Sequence, residues 1–386
     1  MVYLDAAATS KYNNADDIVI ETIVNAMKTY WKNPSSFYAS NVKNEIDTCR
    51  SNIAKFICAR TDEIYFTSGA SESNNMAIRG WVDNARNISN FVNVITTPIE
   101  HKSILNAVQN MSLGACVEYC DVDKYGLIDC EHLEHLLLKH EYEHILVSIG
   151  MANNEIGTIQ AVKKISELVH KYDGVLHVDA TQVFGKFPID VTEYGIDMMS
   201  ASGHKISPVL KGIGYLYIKN SINIQPLIYG EQENGLRGGT ENTYGIIGLS
   251  KAIEYCDFSY ESMKDILDKR NYFINALKTK FNCKLNGHNE YRLLNNINVT
   301  FPQNITGESL LYVLDLSGIQ ISVGSACNSK SINVSHVLKA IGLTNEEAMK
   351  TIRITISNDT TYEEIDYTIN EINKAIKLIE MDNGDY

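Results

Sequence analysis

Ile196-Asp197-Met198-Met199-Ser200 is a short apolar run that leads into Ser202-Gly203-His204-Lys205. The run reads as a buried strand with Lys205 just past its end. An ammonium there is costly unless chemistry changes it. A surface lysine after a strand is the plainer reading of one such stretch. A second stretch shifts the balance: His177-Val178-Asp179-Ala180-Thr181-Gln182 sets a carboxylate at the end of another apolar run. An amine and a carboxylate at neighbouring strand ends suit an aldehyde cofactor with a basic ring nitrogen. The amine forms a Schiff base and the acid keeps the nitrogen protonated, as pyridoxal phosphate requires.

Working outward, short apolar runs recur at 64–67, 91–96, 115–119, 144–149, 175–178, 197–200 and 213–218. Helical periods lie between most of them, at 72–84, 101–111, 128–139 and 162–172. That alternation predicts an α/β fold with a mostly parallel sheet and helices on both faces. Ligands of such sheets sit beyond the carboxyl ends of the strands. Upstream, 16–31 and 44–58 read as helices, the first with Asn14 as its N-cap. From about Tyr244 the pattern changes to helices at 244–255 and 260–281, short strands at 297–301, 320–323 and 352–356, and a last helix at 362–380. The expected division is a large α/β domain over 14–255 and a smaller α+β domain over 1–13 with 256–386.

The composition excludes several classes. A chain of 386 residues with 44% hydrophobic and 21% charged residues is ordinary for a soluble globular protein. Its net charge of −13 argues against direct nucleic-acid binding. No run approaches the ~20 apolar residues of a membrane helix, and the first residues lack a signal-peptide pattern, so a cytoplasmic protein without membrane contact is expected. The eight cysteines form no C-x-x-C pair and read as reduced thiols, mostly in the core. Cys116, Cys120 and the histidines of 131–144, which read as a solvated helix and loop, lack zinc-like cysteine spacing, so no metal is expected.

Several further stretches follow predicted strands. Ser68-Gly69-Ala70-Ser71-Glu72-Ser73-Asn74-Asn75 opens a helix with small residues, a common helix start that also suits a phosphate. Glu100-His101 sets an imidazole where it can lie on a ring or move protons, and Ala152-Asn153-Asn154-Glu155-Ile156-Gly157 offers amides in a turn. Arg237-Gly238-Gly239-Thr240-Glu241-Asn242 is a tight turn whose donors suit a phosphate. In Ser322-Val323-Gly324-Ser325-Ala326-Cys327-Asn328-Ser329-Lys330-Ser331 one cysteine stands among small polar residues, which suits an exposed nucleophile on a mobile loop. Arg353, on an apolar strand, calls for a carboxylate partner from protein or substrate.

Together these stretches, from Tyr3-Leu4-Asp5 to Arg353, resemble the cysteine desulfurases of the class V aminotransferase group. Seven ordered motifs carry the resemblance: 67–75, 100–101, 153–157, 179–182, 202–205, 237–242 and 324–327. The Gly324-Ser325-Ala326-Cys327 form looks like the NifS/IscS-type branch. The resemblance implies the fold type I architecture of aspartate aminotransferase-like, pyridoxal-phosphate-dependent transferases. It also implies roles by position. Lys205 carries the aldehyde and shuttles a proton, Asp179 holds the ring nitrogen, Gln182 the ring oxygen, and His101 stacks on the ring. Ala70, Ser71, Ser202 and His204 bind the phosphate, and Thr240 reaches the phosphate of a second subunit in a homodimer. Asn154 and Arg353 hold the substrate carboxylate. Cys327 takes sulfur from L-cysteine as a persulfide, leaving L-alanine, and passes it to an acceptor protein of iron–sulfur assembly or thiolation.

The chain departs from the family pattern at Ala6, at Asn41-Val42-Lys43, at Ile206-Ser207-Pro208-Val209-Leu210-Lys211-Gly212 and at Val334. None of these removes a catalytic group; they alter the rim of the site. Selenocysteine or cysteine sulfinate lysis and transamination are alternatives on the same scaffold, with Cys327 arguing against simple transamination. A non-catalytic partner-binding homologue is the alternative of another class, and retention of Lys205, Asp179 and Cys327 argues against it.

Overall fold

The computed structural model describes residues 1–111, 115–323, 326–328 and 331–382, with backbone alone at 326–328, 331–333 and 382. The chain opens with β1 (Val2–Tyr3), α1 (Asn14–Thr29) and α2 (Ser40–Phe56). Strands and helices then alternate through β2 (Ile64–Thr67), α3 (Ala70–Arg86), β3 (Val92–Thr96), α4 (Lys102–Gln109), β4 (Ala115–Tyr119), α5 (Cys130–Lys139), β5 (His144–Gly150), α6 (Val162–Lys171), β6 (Val175–Asp179), β7 (Met198–Ser202) and β8 (Gly214–Ile218). Next come α7 (Thr243–Ile253), α8 (Tyr260–Phe281), β9 (Lys284–Leu285), β10 (Asn296–Thr300), α9 (Gly307–Leu316), β11 (Ile319–Gln320) and β12 (Ser322–Val323). The chain closes with β13 (Ala326–Asn328), β14 (Ser331–Asn333), α10 (His336–Ala340), α11 (Asn345–Met349), β15 (Thr351–Thr355) and α12 (Tyr362–Asp382).

Seven strands form one sheet in the order β2-β8-β7-β6-β5-β3-β4. Only the pairings of β8, with β2 and with β7, are antiparallel. Every residue of β3, β7 and β8 is buried, which is why these stretches read as unbroken apolar runs. One face packs on α1, α2, α5, α6 and α7 through residues such as Val19, Ile53, Leu133, Ile165 and Ile246. The other packs on α3 and α4 through Met76, Trp81 and Ile104. The expected α/β fold with a mostly parallel sheet is therefore present.

A second sheet, β12-β15-β10-β9, is antiparallel throughout, and β1 pairs in parallel with β11 beside it. Its core joins Val2 and Leu4 to Phe273, Leu277, Ile354 and Ile372.

The structure corrects several expectations. The N-cap of α1 is Asn13, one residue earlier than read. Asp16 at the third helical position returns a bond to the Asn13 amide and completes a capping box. Helix α9 occupies a stretch read only as a short-strand region, started by a Thr306–Ser309 box. The cysteines are not mostly core: Cys49, Cys120 and Cys283 are buried, whereas Cys58 and Cys116 are exposed. Cys58 follows the buried Ile57, but at φ 57° the chain has already turned outward. His140 is not solvated; it is buried between the Glu118 and Glu143 carboxylates at 2.8 Å from each. Where a long loop is expected around Cys327, Ala326–Asn328 pairs antiparallel with Ser331–Asn333. Gly324, Ser325 and the Cys327 side chain lie outside the described residues. Among the described residues no helix is long and apolar enough to cross a membrane.

One buried pair fixes the turn that leads to Thr240. Arg50 donates to both oxygens of Glu233 at 2.6 and 2.9 Å, and Glu233 also accepts the Phe66 amide at 2.8 Å. The turn is strained, with Glu233 and Asn234 at φ 48° and 56°. Removing one member of such a pair strands the other charge. Glu233→Ala is expected to lower the unfolding free energy by about 3 kcal/mol in chemical denaturation. A loss under about 1 kcal/mol, the level of an exposed pair, contradicts this anchor.

Candidate active site

The carboxyl ends of β2, β3, β5, β6 and β7 open into one cleft of about 690 Å³. It is lined by Ala70, Ser71, His101, Asn154, Asp179, Gln182, Ser202, His204, Lys205 and Arg353. Ten predicted site residues thus meet in one place. Thr240 does not: it is exposed and outside this lining.

Lys205 ends a single 3₁₀ turn, Gly203–Lys205, that directly follows β7. Its ammonium donates to the carbonyls of Ala7 at 2.6 Å and Ala8 at 2.8 Å. Burial first, then the Arg353 guanidinium, pull it down to about 8, against Asp179 and Asp5. The N-terminal segment that supplies these carbonyls is itself held down. Thr9 and Ser10 donate through their hydroxyls to the His204 carbonyl, each at 3.1 Å. Burial, followed by Lys205, Lys211 and Lys186, pulls the His204 imidazole to about 4, so it is neutral at pH 7.

Asp179 ends β6 and is 8% exposed. Asn74 donates to one oxygen at 2.7 Å, and the Thr181 amide to the other at 3.0 Å. His101 caps α4: its Nδ1 accepts the Ser103 amide at 3.1 Å. A nitrogen that accepts carries no proton, so the neutral ring is the Nε2–H tautomer. Burial lowers this imidazole below its ordinary value, with Asp179 opposing and Lys205 assisting. Beside it, Glu100 accepts from Thr97 at 2.6 Å and from the Gly150 amide at 2.7 Å, and burial raises its carboxyl to about 7.

At α3 the backbone turns through Gly69 at φ +149°, where a side chain is strained. Glu72, in the first turn, accepts from Arg237 at 2.7 Å and from the Ser68 amide at 2.9 Å. Burial acts to raise its carboxyl, yet these donors hold it below its usual range. The turn carrying Thr240 is thereby tied to the small-residue cup.

Arg353 donates to the Asp5 carboxylate and, at 3.2 Å, to the Asn154 carbonyl. Its expected carboxylate partner is thus already supplied by the protein, while its buried Nε has no partner among the described residues. Gln182 donates to the Ala7 carbonyl at 3.2 Å and accepts from Lys186 at 3.4 Å. Lys186, Asn74 and Glu100 are further members of the site, of which Asn74 and Glu100 stand within motifs quoted above. Nothing in the sequence alone marked Lys186, which burial, then Lys205 and Arg353, pull to about 7.

The cleft suits pyridoxal phosphate. A softened amine and a held carboxylate face it, and a helix N-terminus with small residues borders it. The buried Asn74 Oδ1 and Thr181 Oγ1 next to Asp179 have no partner among the described residues. Lys205 has carbonyl acceptors in place of a carboxylate, so its amine would be available to hold the cofactor's aldehyde carbon.

Comparison with known proteins agrees with this geometry. The sequence model of the family "Aminotransferase class-V" matches residues 2–368. The chain is 41% identical to cysteine desulfurase IscS of Dictyoglomus turgidum, over 98% of this chain and 95% of that protein. Among solved structures it is similar to a NifS-like protein, with 33% identity, TM-score 0.88, and 98% and 99% of the two chains covered. It is also similar to SspA in complex with cysteine, with 34% identity, TM-score 0.80, and 94% and 100% covered.

The pH at which Lys205 loses its proton is open to measurement. Capture of pyridoxal phosphate by apo-protein is expected to speed up with pH and level off above about pH 8. A rate still climbing past pH ~10, the range of an ordinary lysine, contradicts the reading. By sequence, fold and the contents of its cleft, the chain belongs to the pyridoxal-phosphate-dependent class V aminotransferase family and, within it, to the cysteine desulfurases.

Proposed function

We propose that this protein converts L-cysteine to L-alanine, takes the released sulfur onto Cys327 as a persulfide and hands it to an acceptor protein. The observation that carries the reading is the convergence of Lys205, Asp179 and Arg353 on one cleft, with the Cys327 segment leaving the sheet at its edge. Ser322 on β12 lies opposite Arg353 on β15. Cys327 follows Val323 by four residues, a tether of about 14 Å at full extension.

Pyridoxal phosphate, when bound, supplies an electron sink for the substrate's α-carbon. Lys205 would hold its aldehyde carbon, Asp179 its ring nitrogen, Gln182 its ring oxygen and His101 its ring face. Ala70, Ser71, Ser202 and His204 would hold its phosphate at the start of α3. Asn154 and Arg353 would orient the cysteine carboxylate, with Arg353 shared between substrate and Asp5. Lys205, softened to about 8, can take up and return a proton near neutral pH.

Cys327 then attacks as a thiolate. Its sulfur forms a bond to the substrate sulfur, and the substrate's carbon–sulfur bond breaks. The carbon keeps the electron pair and gains a proton. The sum is cysteine plus a thiol giving alanine plus a persulfide, with no outside oxidant. The Nε2–H tautomer makes His101 a donor, which favours the substrate amine as the group that takes the Cys327 proton.

A homodimer completes the reading. Thr240 is exposed and outside the lining of its own cleft, which leaves it free to serve a second subunit. Phe37, Tyr38 and Tyr229 are 91, 76 and 80% exposed, large apolar groups for a lone surface. Ser35 and Gln232 are 3.4 Å apart, joining the two turns that carry them. The acceptor would be a scaffold of iron–sulfur assembly or a thiolation enzyme, in the cytoplasm.

Cys327→Ala is expected to retain the absorbance of bound cofactor and its shift on adding cysteine. Alanine formation should fall at least a hundredfold. Alanine production at an unchanged rate contradicts the role given to Cys327.

A further inference from the structure

The helix that follows the Cys327 hairpin touches both loops that carry the cleft's polar residues. Ser335 caps α10, accepting the Leu338 amide at 3.2 Å, and donates its own proton to Glu155 Oε2 at 2.6 Å. Glu155 directly follows Asn154. Its backbone is fixed as well: its amide donates to Asn153 at 2.9 Å, and its carbonyl accepts from Asn296 and Asn298 at 3.1 and 3.2 Å. One residue on, His336 Nε2 donates to the Glu100 carbonyl at 2.9 Å, in the peptide just before His101. Beneath these bonds α10 has a small apolar core of its own. Val337, Leu338 and Ile341 pack with Ile99 and Ile156, which flank the same two loops.

Three separate contacts thus seat one short helix on the His101 loop and the Asn154 loop together. The hairpin ends at Asn333, two residues before Ser335. Its other end follows β12, whose Ser322 lies opposite Arg353. The segment bearing Cys327 is therefore held at both bases, and both holds are made to site-building residues. Helix α10 is five residues long and too short to be stable alone, so its seat depends on these contacts.

Resting on the persulfide reading of Cys327, we infer that Glu155 and His336 are positioning residues for sulfur transfer. They fix the return base of the Cys327 hairpin against the loops that orient cofactor and substrate. Neither touches the reacting atoms in this reading. They restrict where the thiol can go, and so raise its effective concentration at the substrate sulfur. A loosened base leaves substrate binding intact and slows the step that only Cys327 performs.

The test uses holo-protein carrying His336→Leu or Glu155→Leu, each beside its hydrogen-bonding counterpart, His336→Gln or Glu155→Gln. The Gln side chain keeps an amide donor at the reach of His336 Nε2, or an oxygen for the Ser335 hydroxyl. Two quantities are read: cysteine affinity from the cofactor's absorbance, and the single-turnover rate of persulfide formation on Cys327 by mass spectrometry. The Leu variants should bind cysteine within about twofold of the unmodified protein and form the persulfide at least tenfold more slowly. The Gln variants should recover to within about threefold. Unchanged persulfide rates in both Leu variants overturn the inference. So does a loss of cysteine affinity that matches the loss of rate, since α10 would then support the binding loops alone. If a Leu variant fails to fold, Ser335→Ala beside Ser335→Thr reads the same bond. Absence of any persulfide on Cys327 in the unmodified protein would instead remove the underlying reading, and this inference with it.

Discussion

The site depends on an ammonium that has been given no carboxylate. Lys205 sits at the edge of the main sheet with the Ala7 and Ala8 carbonyls as its acceptors. Desolvation, and then the Arg353 guanidinium, softens it against the opposing pull of Asp179 and Asp5. Much of the surrounding architecture maintains this condition. Parallel strand order brings β6 and β7 side by side, so Asp179 lies near enough to matter yet keeps its own donors, Asn74 and Thr181. The N-terminal segment crosses from the second sheet, bound through Asp5 to Arg353, and delivers the two carbonyls. The small sheet thus helps set the state of a lysine on the large one.

The same crowding of positive groups prepares the cleft for anions. Lys205, Lys186 and Arg353 lie within each other's fields, and burial lowers the two lysines. A phosphate at the start of α3 and a carboxylate near Arg353 would each lower the energy of this arrangement. Asp5 is the counter-charge of Arg353, as Glu72 is of Arg237.

The sequence carried much of this in legible form, for identifiable reasons. The buried strands were legible because both faces are covered, so that β7 and β8 read as unbroken apolar runs. Asp179 and Lys205 were legible because a charge just after such a run is out of place. The charges that tune them were not. Lys186 sits in Gly185-Lys186-Phe187, which looks like any loop until the fold turns it towards Lys205. Arg353 announced a carboxylate, but its partner, Asp5, lies 348 residues away and is brought to it by the parallel contact of the N-terminal segment with β15. Asn13 displaced Asn14 as a cap through a reciprocal bond with Asp16 that composition does not reveal. Helix α9 was missed because its apolar residues are dense enough to match a strand as well as a helix, whereas the Thr306–Ser309 bonds that start it are local geometry.

The central claim is that one amine, softened by burial, receives the cofactor. Borohydride reduction of the holo-protein followed by peptide mapping tests it directly. The account predicts a single pyridoxyl adduct, on Lys205, and none on Lys186 although that amine is softened too. An adduct on Lys186 or elsewhere, or no covalent adduct on a protein that still binds the cofactor, contradicts it.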